Sequence, residues 1–196
     1  MAKLKKQHMT IHWKAIVQDD SSIPATEATL KEKATLVGRI GLMMLSVGTG
    51  AWRVRNSMNK VARCLGITCT ADIGLLAISY TCIEGTDTYT QSISNPTTGV
   101  NTHKLMQLEL FMKEFPDKVS TYSVKHIHEV LDEIQKLPAN YKAWNLGLAS
   151  ALACGAFTFL LGGGPVEMCC AFLGAGVGNF VRKKMLGHSI SLLANV

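Results

Sequence analysis

The chain is short of charge. Asp, Glu, Lys and Arg supply 17% of its 196 residues, where average soluble chains carry roughly 25%. The deficit is uneven, because from Ala143 to Val181 a single charged side chain, Glu167, interrupts apolar and small residues. The mean hydropathy of +0.18 therefore averages two materials: residues 1–142 have soluble-domain character, and the remainder reads as lipid-facing. Aromatics are also scarce, at 7%. The lysines and arginines behind the net charge of +6 are scattered, with no aromatic-rich basic motif, so nucleic acid is excluded as a partner. Six cysteines (Cys64, Cys69, Cys82, Cys154, Cys169, Cys170) include no Cys-x-x-Cys pair and have no histidine at finger spacing. Reduced, buried thiols are expected, with neither a metal nor a cofactor. The amino end, MAKLKKQHMTIHWKAIVQDD, is basic but lacks the apolar run of a signal peptide, since His12, Lys14, Gln18 and Asp19 interrupt it. Residues 1–25 are expected to be a flexible basic segment, and the first domain to remain in the cytoplasm. The length suits one domain with an appendage.

Apolar residues at Leu30, Ala34, Val37, Gly41 and Met44 or Leu45 repeat at helical spacing and predict a helix from about Thr26 to Val47. Gly48 suits its C′ position, and Thr49 suits the N-cap of a second helix over 51–65. That helix should bury Val54, Met58, Val61, Ala62 and Leu65 and expose Arg53, Arg55, Lys60 and Arg63, giving a helical hairpin. From Gly66 the residue types change: ITCTA, LLAISYTCI and TYTQSIS, with EGTD as a turn, predict two or three short strands. VNTHKLMQLELFMKEF regains helical spacing and is expected to stop at Pro116. STYSVKHIHEVLDEIQKL is a further helix, capped by Ser120 or Ser123 and ended by Pro138. Residues 26–140 thus read as an α+β domain of helical hairpin, small antiparallel sheet and two helices.

Ala143 to Gly162 is twenty residues without a charge, a length that at about 1.5 Å rise per residue spans the roughly 30 Å of a bilayer core. Gly164 to Val181 is a second apolar run, ended by Arg182, Lys183 and Lys184. The short link through Gly162 and Pro165 makes the two antiparallel, a transmembrane helical hairpin over 143–181. Lys136, Lys142 and Arg182–Lys184 flank it on one side and no basic residue sits at the glycine tip, so both ends are expected to face the cytoplasm. Gly147, Ala151 and Gly155 on one helix and Gly174 and Gly178 on the other are spaced for close helix contact and imply packing partners, a homo-oligomer among them. The alternative is the central hairpin of a soluble helical protein. Residues 188–196 are too short to span and read as the start of a truncated third transmembrane helix.

The blocks GTGAWRVRNSMNKVARCLGI, GVN with Lys104 and Leu105, LDEIQKLPANYKAW, and FTFLLGGG followed by FVRKKML are similar, in that order, to the signature blocks of the N-terminal half of the threonine/serine exporter family. That family also includes paired small-subunit exporters assigned to dicarboxylates such as succinate. The resemblance runs from about Leu30 to the end. It implies a cytoplasmic α+β domain, a bundle of further transmembrane helices, and a second transporter half, fused or separate. It further implies a secondary transporter exporting small polar metabolites, threonine and serine or a dicarboxylate, integral to the plasma or inner membrane and not an enzyme. Where the family commonly has acidic residues after Arg53 and Val54, this chain has Arg55 and Asn56, so an acid's role there does not carry over. The alternative from another class is a membrane-anchored cytosolic enzyme of hydrolase type, or a sensor, with the hairpin as anchor only.

Within that frame Glu167, Asn145 and Asn179 are candidates for a substrate or proton pathway. Ionisable residues at membrane depth are costly and commonly face a cavity; alternatively Glu167 snorkels to the outer interface and the amides bond neighbouring helices. Ser150 and Thr158 are expected to bond the preceding turn. The basic face of Arg53, Arg55, Lys60 and Arg63 either rests on anionic headgroups or a docking surface, or is solvated. His126 and His128, two apart on a helix, diverge by about 200° and cannot share a metal. Ser79, Cys82, Asp72 and His103 are hydrolase residue types without a nucleophile elbow.

Overall fold

The computed structural model describes residues 13, 23–74, 77–94, 99–138 and 141–187. Its elements are α1 (Leu30–Ser46), α2 (Ala51–Cys64), β1 (Thr68–Ile73), β2 (Ala77–Glu84), β3 (Asp87–Ser94), α3 (Thr102–Lys118), α4 (Val124–Lys136), α5 (Ala143–Leu160) and α6 (Pro165–Gly187). The class is α+β, and the chain divides into two compact units, residues 1–137 and 138–196. The first holds the helical hairpin, the sheet and α3–α4; the second holds α5 and α6.

Helix α1 starts at a capping box: the Thr29 hydroxyl accepts from the Glu32 N–H, and the Glu32 carboxylate accepts from the Thr29 N–H at 3.1 Å. Residues from Thr26, expected to be helical, instead belong to a turn that fastens to the α3–α4 connection. The Ala25 N–H donates to the Tyr122 carbonyl at 2.9 Å, Pro24 bridges Ser123, and Ala25 is fully buried. Pro24 and Ala25, within the segment expected to be flexible, are therefore part of the packed structure, and Trp13 also lies against the core; the remainder of 1–22 is outside the described residues.

Three helices end by the same device. Gly48, Gly66 and Gly162 take φ of 85°, 75° and 85°, a region that glycine alone enters freely. In each case the glycine N–H and the next N–H fold back onto the last helical turn: Gly48 to Leu45 and Thr49 to Met44, Gly66 to Arg63 and Ile67 to Ala62, Gly162 to Phe159 and Gly163 to Thr158. This is the Schellman arrangement, which satisfies carbonyls left open at a helix end. The N-cap of α2 is Gly50, not Thr49. Thr49 is committed to ending α1, and its hydroxyl is buried without a partner.

The sheet has order β1-β2-β3, with antiparallel neighbours and Cys69 opposite Cys82, Tyr80 opposite Gln91 and Ile78 opposite Ile93. One face, through Cys69, Ile78, Tyr80, Cys82 and Ile93, is buried in the core; the other shows threonine and serine, with Ser79 bonded to Ser92 and Thr81 to Thr90. Helix α1 is the centre of this unit: every residue from Glu32 to Gly41 is buried. Glycine permits that crowding. A Cβ on Gly38 would sit 2.7 Å from Tyr80 Cε1, inside the ring's contact shell, and one on Gly41 would lie 2.5 Å from Met58 Sδ. Helix α3 continues through Pro116 to Lys118, where the sequence predicts a stop. Pro116 lies in the last turn, so the ring removes one hydrogen bond, and the Val119 N–H still reaches the Phe115 carbonyl at 2.9 Å. Helix α6 also outruns its expected end at Val181, passing through Arg182, Lys183 and Lys184 to Gly187. Lys and Arg are good helix formers and complement the carbonyl-rich C-terminus; Lys184 lies 5.4 Å from the Phe180 ring one turn back. The stretch 188–196, expected to begin a third crossing, lies outside the described residues.

Substituting Gly38→Ala is expected to destabilise the first unit by about 1–3 kcal/mol, the usual cost of overpacking. Thermal denaturation of the detergent-solubilised chain followed by circular dichroism measures it, and Gly85→Ala, at a turn with open space around it, calibrates a purely backbone effect.

Candidate functional site

Helices α5 and α6 pack antiparallel along a seam of small residues. The buried residues of α5 are Gly147, Ala151 and Gly155, the face the spacing predicts. A Cβ on Gly147 would meet the Gly176 carbonyl at 3.1 Å and Phe180 Cβ at 3.3 Å; one on Gly176 would meet Ala151 Cβ at 3.0 Å; one on Gly155 would meet Met168 and Phe172 at 3.7 Å. The α6 side of the seam is thus Met168, Phe172, Gly176 and Phe180. Gly174 and Gly178, expected there, have open space around them. All three glycines alternate along GAGVG, and only the i, i+4 series that includes the two phenylalanines turns toward α5; Phe172-x3-Gly176-x3-Phe180 was the signal in the sequence. Trp144 meets Phe180 edge-on at 6.2 Å, closing the end opposite the glycine tip.

Away from the seam the surfaces are apolar and open. Trp144, Leu148, Leu152, Phe157, Phe159, Leu160 and Leu161 of the first helix and its turn, and Val166, Leu173 and Val177 of the second, are all exposed. A water-soluble protein would cover so contiguous an apolar surface. Among the described residues α5 is the one helix long and apolar enough to cross a membrane, with 17% of its span buried. Its 18 residues reach about 27 Å. By that measure α6 falls short, diluted by Glu167, the three glycines, Asn179 and the terminal cations. On the flank of the pair, Trp144, Leu148, Leu173, Val177 and Phe180 line an open apolar groove of about 190 Å³.

The polar candidates do not converge. Glu167, exposed in the first turn of α6, folds back over the helix start, its Oε2 2.8 Å from where a Cβ of Gly164 would be. A carboxylate there complements the N-terminal partial charge. Asn145 is exposed two residues from Gly147, hence on the far side of α5 from the seam, whereas Asn179 is half-buried at the seam's margin. The Thr158 hydroxyl donates to the Cys154 carbonyl at 2.9 Å, the back-bonding its position suggested.

In the first unit, Arg53, Arg55, Lys60 and Arg63 are exposed as predicted. Two of them are engaged: Arg53 pairs with Glu109 of α3, and the Arg55 Nε–H donates to the Ala71 carbonyl of β1 at 3.0 Å. Arg55, at the position where the resemblance leads one to look for an acid, thus ties α2 to the sheet. Of the hydrolase-type residues, Asp72 and Ser79 are cross-strand partners on the exposed face, while Cys82 points into the core.

Sequence reasoning missed a buried polar network between α1 and α4. Arg39, 1% exposed, donates through Nη1 to His128 Nδ1 at 2.9 Å and to the His128 carbonyl at 3.0 Å, and through Nη2 to Gln135 at 3.3 Å and to the Asp132 carboxylate. Trp13 stacks near His128 and lies 5.8 Å from the guanidinium. Burial pushes the Arg39 guanidinium below its usual value, against the pull of Asp132. The signal was an arginine inside the apolar stripe of α1 and a His128–Asp132 pair four apart on the inner face of α4. His126, by contrast, is exposed beside Glu129. No cluster of metal-ligating residues occurs among the described residues.

The chain belongs to the threonine/serine exporter family: the ThrE family model matches residues 35–195. Its class is therefore that of membrane transporters for small polar metabolites, in a lipid setting. No curated protein and no solved structure matches the chain.

Burial, with the Arg39 charge adding to it and Asp132 opposing, lowers the His128 pKa to about 4 from 6.5. Between those values the unfolded chain binds a proton that the folded chain refuses, so stability falls as pH drops from 6.5 toward 4, by about 3 kcal/mol. Urea denaturation across that range is expected to show the slope, and His128→Gln to flatten it.

Proposed function

We propose that the chain is the N-terminal part, or a subunit, of a secondary exporter of threonine- and serine-like metabolites, in which α5 and α6 form a transmembrane hairpin with the glycine turn outermost. The observation that carries this reading is the combination of a tight small-residue seam inside the hairpin with exposed apolar side chains around it. Between helices in lipid no hydrophobic drive exists, so close backbone contact through Gly147 and Gly176 is what holds them together. The outward leucines, valines and aromatics then meet lipid tails and further helices. Trp144 and the Arg182–Lys184 run mark the cytoplasmic interface, in keeping with the preference of aromatics for the headgroup level and of cations for the inner side. The apolar groove beside Trp144 and Phe180 takes a helix from the remaining bundle, from a second transporter half or from a second copy. The first unit lies on the cytoplasmic side, where Lys60 and Arg63 offer charge to headgroups or to a docking partner.

A carrier site in such proteins lies near the midplane at the interface of repeats, so the hairpin contributes one wall. Asn179, half-buried at the margin of the seam, and Glu167, at the outer mouth, face the pathway in this reading, and Asn145 meets a neighbouring helix. A dicarboxylate cargo of similar size and polarity is the second substrate class the family context offers.

Efflux of labelled threonine, serine and succinate from cells expressing the complete transporter separates these cargoes. Gly147→Leu and Gly176→Leu are each expected to cut export at least tenfold per membrane-inserted copy, as measured by quantitative blotting of the membrane fraction; export at the normal rate with the seam filled would refute the wall. Glu167→Gln is expected to slow export severalfold, and an unchanged rate would remove that carboxylate from the pathway. Replacing residues 143–187 by an unrelated transmembrane hairpin should abolish export, whereas a simple anchor would tolerate the exchange.

A further inference from the structure

We propose that Cys69 and Cys82 form a thiol–disulfide exchange site, at which a small soluble disulfide oxidises the two facing thiols to a bridge between β1 and β2. The two residues are register partners on adjacent antiparallel strands, and both are free thiols. Their side chains lie on the same inward face, Cys69 at 7% exposure and Cys82 at 0%. The type of pair follows from the turn. The Gly74 N–H donates to the Ala77 carbonyl at 2.9 Å, which makes Gly74 and Ala77 a hydrogen-bonded pair. Pairs alternate along an antiparallel ladder, so Ile73 with Ile78, Ala71 with Tyr80, and Cys69 with Cys82 fall at non-hydrogen-bonded positions. There the Cα atoms approach to about 4.5 Å and the side chains are closest, which lies within the span a disulfide bridges.

The chemistry has a direction. The thiols share a hydrogen bond that favours ionisation of Cys69, while the same bond and burial hold Cys82 protonated. Cys69 is also the less deeply buried of the two. It sits on an edge strand, laddered to β2 alone, so opening of one strand brings it to solvent without dismantling the sheet. The Cys69 thiolate attacks one sulfur of the soluble disulfide RSSR, forming Cys69–S–S–R and releasing RS⁻, which takes up the proton Cys69 lost. Cys82 then gives up its proton and attacks the Cys69 sulfur, and the second RS⁻ leaves and is protonated. In sum, two cysteine thiols and RSSR become one intrachain disulfide and two RSH. The bridge fastens the edge strand to the sheet that packs on α1. The redox state of the pair thereby sets whether β1 can open, independently of what the transporter carries.

The test uses the full chain in detergent, with oxidised glutathione as RSSR. After incubation the protein is denatured, alkylated with iodoacetamide and mapped by mass spectrometry. Six cysteines are alkylated before oxidation; the expected result is loss of the label at Cys69 and Cys82 together, a linked peptide joining them, and its return to two labelled thiols with dithiothreitol. Cys82→Ser is expected to stop the reaction halfway, leaving a glutathione adduct on Cys69. If both residues stay fully alkylatable while circular dichroism shows the fold intact, or if Cys69 links to Cys64 instead, the proposal fails. The wild-type map decides the question by itself should the serine variant not fold.

Discussion

Where a helix must approach a neighbour more closely than a Cβ allows, only glycine will serve, and this constraint organises both units. Gly38 and Gly41 let Tyr80 and Met58 press against the α1 backbone; Gly147 and Gly176 let α5 and α6 touch main chain to main chain. The physical ground differs. In the first unit apolar burial drives the contact, and the glycines make room for large side chains around a helix enclosed on every face. Along the hairpin seam the gain is in dispersion contacts and shape, because the outer faces are as apolar as lipid. Membership of an exporter family gives that second arrangement its setting.

Enclosing α1 has an electrostatic consequence. A helix buried all round carries its polar residues inward too, and each needs a partner. Lys33 finds Glu84 at 2.6 Å, and Arg39 finds His128, Asp132 and Gln135. These bonds give α1 directional links to β2 and to α4 that apolar packing alone would not specify. The arrangement holds while His128 is neutral: its Nδ1 accepts from the arginine, and a protonated ring would set two cations against each other. The stability of the first unit is thus coupled to acidification through one buried ring.

The hairpin shows the reverse pattern, with polar groups few and apolar side chains outermost. Its one carboxylate, Glu167, lies at the start of α6, where the helix N-terminus offsets its charge, and the cations gather at the other end of the same helix, where the carbonyls point. Charge placement along α6 therefore favours the helix and the proposed topology at once, and it leaves the middle of the hairpin to small and apolar residues.

Much of this was legible in the residues themselves. Element order, the inward face of α2, the glycine stop after α1, the Gly147–Ala151–Gly155 face and the apolar length of α5 all follow from local period, propensity and capping, which depend on neighbours a few positions away. The family was legible as well, through short blocks in a fixed order. What only the tertiary structure decided is which of several equivalent local choices is used. Gly176 rather than Gly174 or Gly178 meets α5, because the rotation of α6 is set by its phenylalanines. His128 rather than His126 is buried, because α1 offers it an arginine. Cys69 faces Cys82, because strand register is fixed by a turn and a buried face together. Local sequence sets the period of an element, but its phase against a partner depends on atoms far away in the chain, and only their packing selects it.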